Sequence, residues 1–336
     1  MQRPPNSRRR QLSLGAALFA LDFIAPRIAS PAAAARTARI VQGPRTTEQS
    51  LAWLGEEAGI FARLGLRAEF AAAGPGAGAA LASVLEGTSH LAYAGIAQVA
   101  RRVLEGGDPV LIATPLEANK GGFLMASRWI RGPEQLAGTR VGVLSASGPS
   151  ALAAGAVLER SNVTAKFVAL NSFEAVYAAL ADGAIDAGWL PVDLSFKGRA
   201  AFGWNGFEGA RIALPGGYVT TRRAIASDRG LVEEIVKALA AAVHFFRTEQ
   251  DAVVVLLQRF LGVERPVAWD LQAFYAPLFR QVPAPSVFFD MAALRDSLKA
   301  RHPAAQRLQA ADLLDASFVE ALVRSGYIAR LYSGAR

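Results

Sequence analysis

The sequence contains no cysteine, and its 336 residues include only three histidines and three methionines. Without cysteine there are no disulfide bonds, thiolate metal sites or cysteine nucleophiles. The histidines His90, His244 and His302 form neither an H-x-x-x-H metal pair nor a Ser/His/Asp grouping. We therefore predict a protein that is not an enzyme and that holds no metal and no cofactor.

Charged residues are also scarce, at 19%, whereas hydrophobic residues reach 52%. This balance is typical of a globular chain with a sizeable core. The net charge is +8, but half of it lies in the first 35 residues, which contain five arginines and one aspartate. The other basic residues are scattered and do not alternate with aromatic residues, so we predict no nucleic-acid partner.

The first 35 residues have the order of an export signal. A basic segment precedes an apolar one in "SRRRQLSLGAALFALDFIAP", and "ASPAAAARTA" supplies small residues for a cleavage that we place near Ala35. Arg9-Arg10, with Leu12 two positions on, resembles a twin-arginine signal. No later segment offers ~20 unbroken apolar residues, so we expect no membrane anchor. Together with the lack of a lipid-carrying cysteine, this predicts a free periplasmic protein.

The body alternates strands and helices, which predicts an α/β fold with mostly parallel sheets. The strands of a first unit are "ARIVQG", "LRAEFAAA", "HLAYAG" and "PVLIATPLE", and "FLMASRWI" is expected to be the strand that leaves it. The segment "TTEQSLAWLGEEAGIFARLG" is predicted to be one helix, with Thr46 or Thr47 as its N-cap and a glycine stop. A second unit repeats this order from about Arg128, and the chain is mostly helical from Asp228.

Two stretches look like copies of one helix–turn–strand motif. "LEGTSHLAYAG" and "LADGAIDAGWLP" align Glu86-Gly87 with Asp182-Gly183, and the polar His90 with Asp186. Each glycine permits the left-handed turn that ends a helix. The repeat predicts two similar lobes.

Glycine-rich turns precede one helix in each unit, "AAAGPGAG" and "SASGPSA". The first loosely fits a G-x-G-x-x-A dinucleotide fingerprint, but no suitably placed acidic residue follows to hold a ribose. Backbone N–H groups at such helix starts bind anions without a charged side chain. Two turns, one in each unit, favour a ligand held between them.

Four segments together resemble the nitrate/sulfonate/taurine solute-binding proteins of ABC importers. They are "SLAWLGEEAGIFARLGLRAEF", "GAGAALASVLEGTSHLAYAG", "IRGPEQLAGTRVGVLSASGPS" and "ALADGAIDAGWLPVD". Gly59-Ile60-Phe61 and Gly65-Leu66 match the family pattern closely, whereas His90 stands where the family usually has aspartate. The resemblance extends from Ile40 to about Leu257.

The resemblance implies a two-lobed type II periplasmic binding protein fold with a helical C-terminal tail. The lobes are then residues 36–127 with 216–336, and residues 128–215, after the export signal at 1–35. It also implies a monomer that closes its lobes on a small, anionic molecule and delivers it to an ABC permease and its ATPase. Ligands in such sheets lie beyond the carboxyl ends of the strands.

By position in the family pattern, the resemblance also implies which residues line the cleft. They are Arg45, Thr46, Thr47, Gln49, Gly76, Ala77, Gly95, Ser147, Gly148, Ser150, Asn171, Trp189, Pro191, Asp193 and Tyr218. Arg45 is suited to bidentate pairing with an anion, whereas Asp193 favours a ligand that also has a donor or cationic group. Trp189 is equally compatible with the core.

Two other functions stay open at this point. One is an enzyme of the thiamine-pyrimidine synthase type on the same fold, although the lack of cysteine and the export signal argue against it. The other is a sensory protein that presents its ligand to a membrane receptor, which the sequence does not separate from transport.

Overall fold

The structure is a computed structural model. It describes residues 35–43, 45–73, 78–116, 121–146, 149–209, 216–285 and 290–334. The predicted export signal at 1–35 lies outside these residues except for Ala35, as do the site candidates Gly76, Ala77, Ser147 and Gly148.

Ten strands among the described residues form two sheets. The strands are β1 (Arg36–Gln42), β2 (Leu66–Ala72), β3 (Leu91–Gly95), β4 (Pro109–Ala113), β5 (Phe123–Ala126), β6 (Arg140–Val143), β7 (Lys166–Ala169), β8 (Ala187–Leu190), β9 (Asn205–Glu208) and β10 (Gly216–Thr221). Their orders are β2-β1-β3-β10-β4 and β7-β6-β8-β5-β9. The two orders are the same pattern, because β5 takes in the second sheet the position that β10 takes in the first.

Each sheet mixes parallel and antiparallel pairs. Strand β1 runs parallel to β2 and β3, and β6 runs parallel to β7 and β8. Strand β10 is antiparallel to both of its neighbours, and so is β5. The predicted α/β fold with two lobes and a helical tail is confirmed.

The strand Phe123–Ala126 was assigned to the wrong sheet. From its sequence we expected it to belong to the first unit, but it pairs with β8 and β9. Local sequence carries no information on this choice, since a fully buried strand has the same apolar pattern in either sheet. The chain passes from one sheet to the other between β4 and β5 and returns between β9 and β10.

Fifteen helices of the described residues surround the sheets and form the tail. They are α1 (Leu51–Glu57), α2 (Ile60–Arg63), α3 (Ala79–Leu85), α4 (Ile96–Leu104), α5 (Pro149–Glu159), α6 (Phe173–Ala181), α7 (Val192–Phe202), α8 (Arg222–Ser227), α9 (Arg229–Thr248), α10 (Gln250–Leu261), α11 (Arg265–Tyr275), α12 (Met291–Leu298), α13 (Ala310–Leu313), α14 (Ser317–Arg324) and α15 (Tyr327–Ser333). Within the part of the chain that is described, none of them combines the length and the apolar character needed to cross a bilayer.

The helix predicted from Thr46 to Gly65 is in fact three short pieces. A 3-10 helix at Thr47–Gln49 precedes α1, and α1 and α2 are separated by Gly59, whose φ of 68° is left-handed. Glycine adopts this conformation without a steric penalty. Neither threonine caps a helix through its side chain, which leaves both hydroxyls free for other contacts.

The two copies of the helix–turn–strand motif share a hydrogen bond as well as a shape. The Arg39 backbone N–H donates to His90 Nδ1 at 3.1 Å, and the Arg140 N–H donates to Asp186 Oδ2 at 2.9 Å. Each acceptor therefore ties the start of a strand to the neighbouring parallel strand. His90 is half-buried, and its side chain accepts this hydrogen bond.

The tail also packs on the second lobe. Helix α11 contacts both α7 and the 3-10 helix at Thr47–Gln49. At this junction the Phe274 ring lies 5.5 Å from the Phe196 ring and 6.0 Å from the Phe123 ring, between centroids. Aromatic pairs at such distances stabilise beyond the area that they bury. The first-lobe core therefore continues into the second lobe at this point.

Candidate functional site

The two lobes meet at Thr47 and Asp193. Thr47 follows β1, and Asp193 lies in the first turn of α7, directly after β8. The Thr47 N–H and Oγ1 both donate to Asp193 Oδ1, at 3.0 and 2.5 Å. The carboxyl ends of β1 and β8 therefore face each other, and two residues that we predicted for the cleft are in direct contact.

Burial raises the pKa of Asp193, and the hydrogen bonds from Thr47 partly offset this effect. The positive end of the α7 dipole also favours a carboxylate in the first turn. Hydrogen bonds to a charged group are stronger than those between neutral groups. The contact is thus suited to holding the lobes together.

Glu48, next along the 3-10 helix, brings a second carboxyl group to the cleft. Burial, followed by the charge of Asp193, raises its pKa to about 7. The residue is half-buried. No described residue donates a hydrogen bond to its carboxyl, so Glu48 is available to a ligand.

Three tyrosines lie near Glu48. The rings of Tyr93 and Tyr218 are nearly perpendicular, with centroids 5.4 Å apart, and Tyr218 Oη accepts a hydrogen bond from the Ala52 N–H at 3.2 Å. Burial raises the pKa of Tyr93, Tyr218 and Tyr275, and the charge of Glu48 adds to the rise in each. These hydroxyls stay protonated at neutral pH, so they can donate hydrogen bonds.

Two buried oxygen atoms on the same segment have no hydrogen-bond partner among the described residues. They are Thr46 Oγ1 and Gln49 Oε1. The amide oxygen of Gln49 is packed against Gly43, where an added Cβ would come within 2.6 Å of it. An unsatisfied buried acceptor costs ~1–3 kcal/mol, so a donor from a ligand or a water would be stabilising here.

Arg45 contacts the first lobe instead of the two acids. Its Nη1 donates to the Phe260 carbonyl oxygen at 3.3 Å, and its guanidinium lies 5.7 Å from the centre of the Phe260 ring. Phe260 is near the end of α10. The pairing of Arg45 with a ligand anion stays a prediction. It would require the guanidinium either to leave Phe260 or to contact Phe260 and the anion at the same time.

Several other predicted cleft residues bond to the backbone or shape it near the carboxyl ends of the strands. Ser150 is buried, and its hydroxyl accepts from the Leu144 N–H at 3.0 Å. Asn171, two residues after the end of β7, has a left-handed φ of 64°. Gly95 and Pro191 are the N-caps of α4 and α7. These residues shape the two strand edges, and their contact with a ligand stays a prediction.

Trp189 belongs to the core of the second lobe. It is 3% exposed and packs with the buried residues of β5, β6 and α5. Its ring also covers Gly209, where a Cβ would lie only 2.2 Å away. Of the two roles that the sequence left open, the structure supports the core.

The sequence analysis missed Glu48, Tyr93 and Tyr275. Glu48 lies between Thr47 and Gln49, which the sequence analysis did select. The signal that could have identified it was the presence of an acid in the turn after the first strand. Tyr93 was visible as the counterpart of Trp189 in the repeated motif. Tyr275 ends α11 in the tail, where no motif marks it.

The described part of the cleft is acidic. The groups that influence the pKa values of Glu48 and Asp193 include no lysine, arginine or histidine of the described chain. No three His, Cys, Asp or Glu side chains of the described residues are grouped as metal ligands would be. The described part of the site thus combines two acids with the hydroxyl groups of three tyrosines.

Comparisons with known proteins agree with this architecture. Residues 48–252 match the family described as NMT1/THI5 like. No curated protein sequence matches the chain.

Three solved structures resemble the chain at low sequence identity. The periplasmic aliphatic sulphonate binding protein SsuA from Escherichia coli is 13% identical, with 82% of this chain and 91% of that chain covered and a TM-score of 0.62. A putative periplasmic sulfonate-binding SsuA from Methylobacillus flagellatus KT is 17% identical, with 88% and 96% covered and a TM-score of 0.62. The alkanesulfonate-binding SsuA from Xanthomonas axonopodis pv. citri, bound to MOPS, is 16% identical, with 82% and 96% covered and a TM-score of 0.57. The fold is thus that of periplasmic binding proteins.

Proposed function

Because the chain belongs to the NMT1/THI5-like family, we propose that it is the substrate-binding component of an ABC importer. It captures a small organic anion, such as a sulfonate, a taurine-like compound or a carboxylate, in the cleft between its lobes. The observation that carries this proposal is the contact between Thr47 and Asp193, which joins the two strand edges around Glu48 and the tyrosines. A contact of this kind supports a cleft that closes over its ligand.

Ligand capture would use both lobes. The acids and tyrosines described above belong mainly to the first lobe and to the start of α7. The anionic group would be held at the second lobe by backbone N–H groups before α5, where "SASGPSA" places Ser147 and Gly148. The structural relatives named as sulfonate-binding proteins support this choice of anion.

Closure would occur by rotation of the lobes about the two chain crossings. We propose lobes of residues 36–127 with 216–336, and of residues 128–215, except that Phe123–Ala126 joins the second lobe, with whose sheet it pairs. Strands β5 and β10 are then the strands that follow the crossings. A monomer in the periplasm, exported through the signal at 1–35 by a twin-arginine route, would then deliver its ligand to a membrane permease and its ATPase. A binding role without catalysis is in keeping with the absence of cysteine from the sequence.

A thermal-shift panel tests this function. The purified chain is heated with alkanesulfonates, taurine, small carboxylates, nitrate and pyrimidines. A ligand that binds only the folded state stabilises it by ~2.7 kcal/mol at a hundredfold excess over its Kd. We expect one chemical class to raise the melting temperature and to reduce the radius of gyration in X-ray scattering, as closure requires.

Asp193→Asn tests whether the ligand binds in this cleft. The substitution weakens the contact with Thr47, so we expect it to reduce the ligand-induced shift and the compaction. Asp182→Asn is the matched control, because Asp182 is an exposed residue at the end of α6 in the same lobe. A folded protein that no class stabilises would contradict the proposal, and turnover of a bound compound would favour the enzyme alternative.

A further inference from the structure

We infer that the first lobe carries a second ligand site, for a small soluble phosphate monoester, between α4 and the tail helix α12. The site is a cavity of about 370 Å³. None of the described residues that line it belongs to the cleft or to the second lobe, so the inference goes beyond the proposed function. Ligand pockets commonly enclose ~300–1,000 Å³, so this cavity has room for a phosphate group and a small organic part.

Four side chains with N–H donors line this one cavity. Arg101 lies on α4, and Arg301 and His302 follow the end of α12. Gln98, three residues before Arg101 on α4, is the fourth; its amide oxygen accepts a hydrogen bond from the Gly95 N–H at 3.3 Å, which leaves its NH₂ group for a ligand. The two guanidinium groups are permanently charged, and a histidine ring has an N–H donor in either protonation state.

Arg101 has a buried donor that the described protein does not use. Its Nε is buried and has no hydrogen-bond partner among the described residues. Glu105 Oε1 lies 3.7 Å from this nitrogen, beyond hydrogen-bond distance, while Glu105 Oε2 accepts from Arg102 Nη1 at 2.9 Å. A buried donor without a partner is unfavourable. An oxyanion that reached this nitrogen would therefore be held by a charged hydrogen bond.

The remaining lining is largely apolar. It consists of Ala97, Leu298 and Ala300, together with Ser297, whose hydroxyl already donates to the Leu294 carbonyl oxygen at 2.7 Å. These residues offer contact to the organic part of a ligand and no further charge. The cavity thus combines cationic donors with apolar walls, as an ester with one anionic group requires.

The positive charge at the cavity is only partly balanced by the acids of the two helices. The Arg301 side chain forms no hydrogen bond or ion pair with any described residue. On α12, Asp296 is paired with Lys299 at 2.9 Å. A phosphate monoester carries nearly two negative charges at neutral pH and three acceptor oxygen atoms. It can therefore pair with both arginines at once, whereas a single carboxylate has only two oxygen atoms and one charge.

Isothermal titration calorimetry of the whole chain with phenyl phosphate and glycerol 3-phosphate tests the inference. Phenol and glycerol are the uncharged members of these pairs, so each pair differs only by the phosphate group. We expect at least one ester to bind with a Kd below ~1 mM, and neither alcohol to bind measurably. Sedimentation with phosphatidic acid vesicles distinguishes the source of the phosphate. Vesicle binding that the soluble esters do not displace would contradict a soluble ligand.

Arg101→Gln and Arg301→Gln identify the residues responsible. Each should weaken binding of the ester at least about tenfold, since one charged hydrogen bond typically contributes this much. Arg101→Lys keeps the charge but not the planar set of donors, so its loss should be smaller than that of Arg101→Gln. Arg301 is exposed, so Arg301→Gln should fold even if Arg101→Gln does not. Arg131→Gln, an exposed arginine of the second lobe whose side chain has no described partner, is the matched control and should leave the affinity unchanged.

Three results would overturn the inference. One is an ester affinity that Arg301→Gln does not change, and another is an equal loss in Arg131→Gln, which would indicate attraction to the overall positive charge. The third is a Kd weaker than ~1 mM for both esters. A ligand that the thermal-shift panel finds for the cleft should still stabilise Arg301→Gln. The second site and the proposed function can therefore fail independently of each other.

Discussion

Glu48→Gln should stabilise the ligand-free protein, and the gain should grow with pH. Burial and the nearby Asp193 raise the pKa of Glu48 from 4.5 to about 7, so the folded state disfavours the carboxylate. A raised pKa in an acid contributes stability that is present below the unfolded value and is lost as the pH rises through the folded value. The wild-type protein therefore carries a cost at pH 8 that glutamine removes.

The size of this effect follows from the two pKa values. Linkage gives a cost of about 1 kcal/mol at pH 5, which rises to about 3 kcal/mol at pH 8. Urea denaturation of both proteins at these two pH values gives the free energies of unfolding. The difference between the two proteins reports Glu48 together with its coupling to Asp193.

A gain that is the same at pH 5 and pH 8 would refute this reasoning, because Glu48 would then titrate like a solvent-exposed acid. As a control, Glu86→Gln changes an exposed acid at the end of α3, and it should stay within about 0.5 kcal/mol of wild type at both pH values, as surface substitutions usually do. A pH-dependent gain would also mean that the protein tolerates an unfavourable carboxyl group in its cleft. Such a cost is expected of a residue kept for function and not for stability.

Two further substitutions test contacts within and between the lobes. Thr47→Val keeps the shape of the side chain but removes the hydroxyl that donates to Asp193. We expect urea denaturation to show a free energy of unfolding that is lower by about 1.5–3 kcal/mol. An unchanged free energy of unfolding would mean that this contact does not hold the lobes together. His90→Ala should cost about 1 kcal/mol and His90→Asp less, since Asp186 already fills the equivalent place. Burial, followed by the charge of Arg39, lowers the pKa of His90. The free energy of unfolding of the wild type should therefore fall as the pH drops below about 6.5, and it should fall less in His90→Asp. Identical pH profiles of the two proteins would contradict this role of His90.

Much of the fold could be predicted because its signals are local. Alternating apolar strands and helices, glycine stops and a repeated motif each depend on residues close in sequence. Local signals could not predict the lobe to which Phe123–Ala126 belongs. This strand, β5, pairs with β8 and β9, which lie more than sixty residues further along the chain. The break at Gly59 was visible as a glycine but was interpreted as part of one helix.

The candidate site was predicted less completely, for a related reason. A family pattern gives positions, so it found Thr47 and Asp193, but it does not say which side chains pair with each other. The bond between these two residues spans 146 positions, and the engagement of Arg45 with Phe260 spans 215. Both depend on the tertiary arrangement, which also decides that Trp189 is in the core.

The repeated motif explains why the chemistry of the cleft is asymmetric. The two lobes share a topology and the hydrogen bond made by His90 or Asp186, so each presents a similar edge of strand ends and turns. The residues that follow these edges are free to differ, because they do not support the sheets. The first lobe places Glu48 and unsatisfied oxygen atoms there, whereas α7 of the second lobe contributes one acid that is already bonded to Thr47. A duplicated scaffold can thus present two unlike faces to one small molecule.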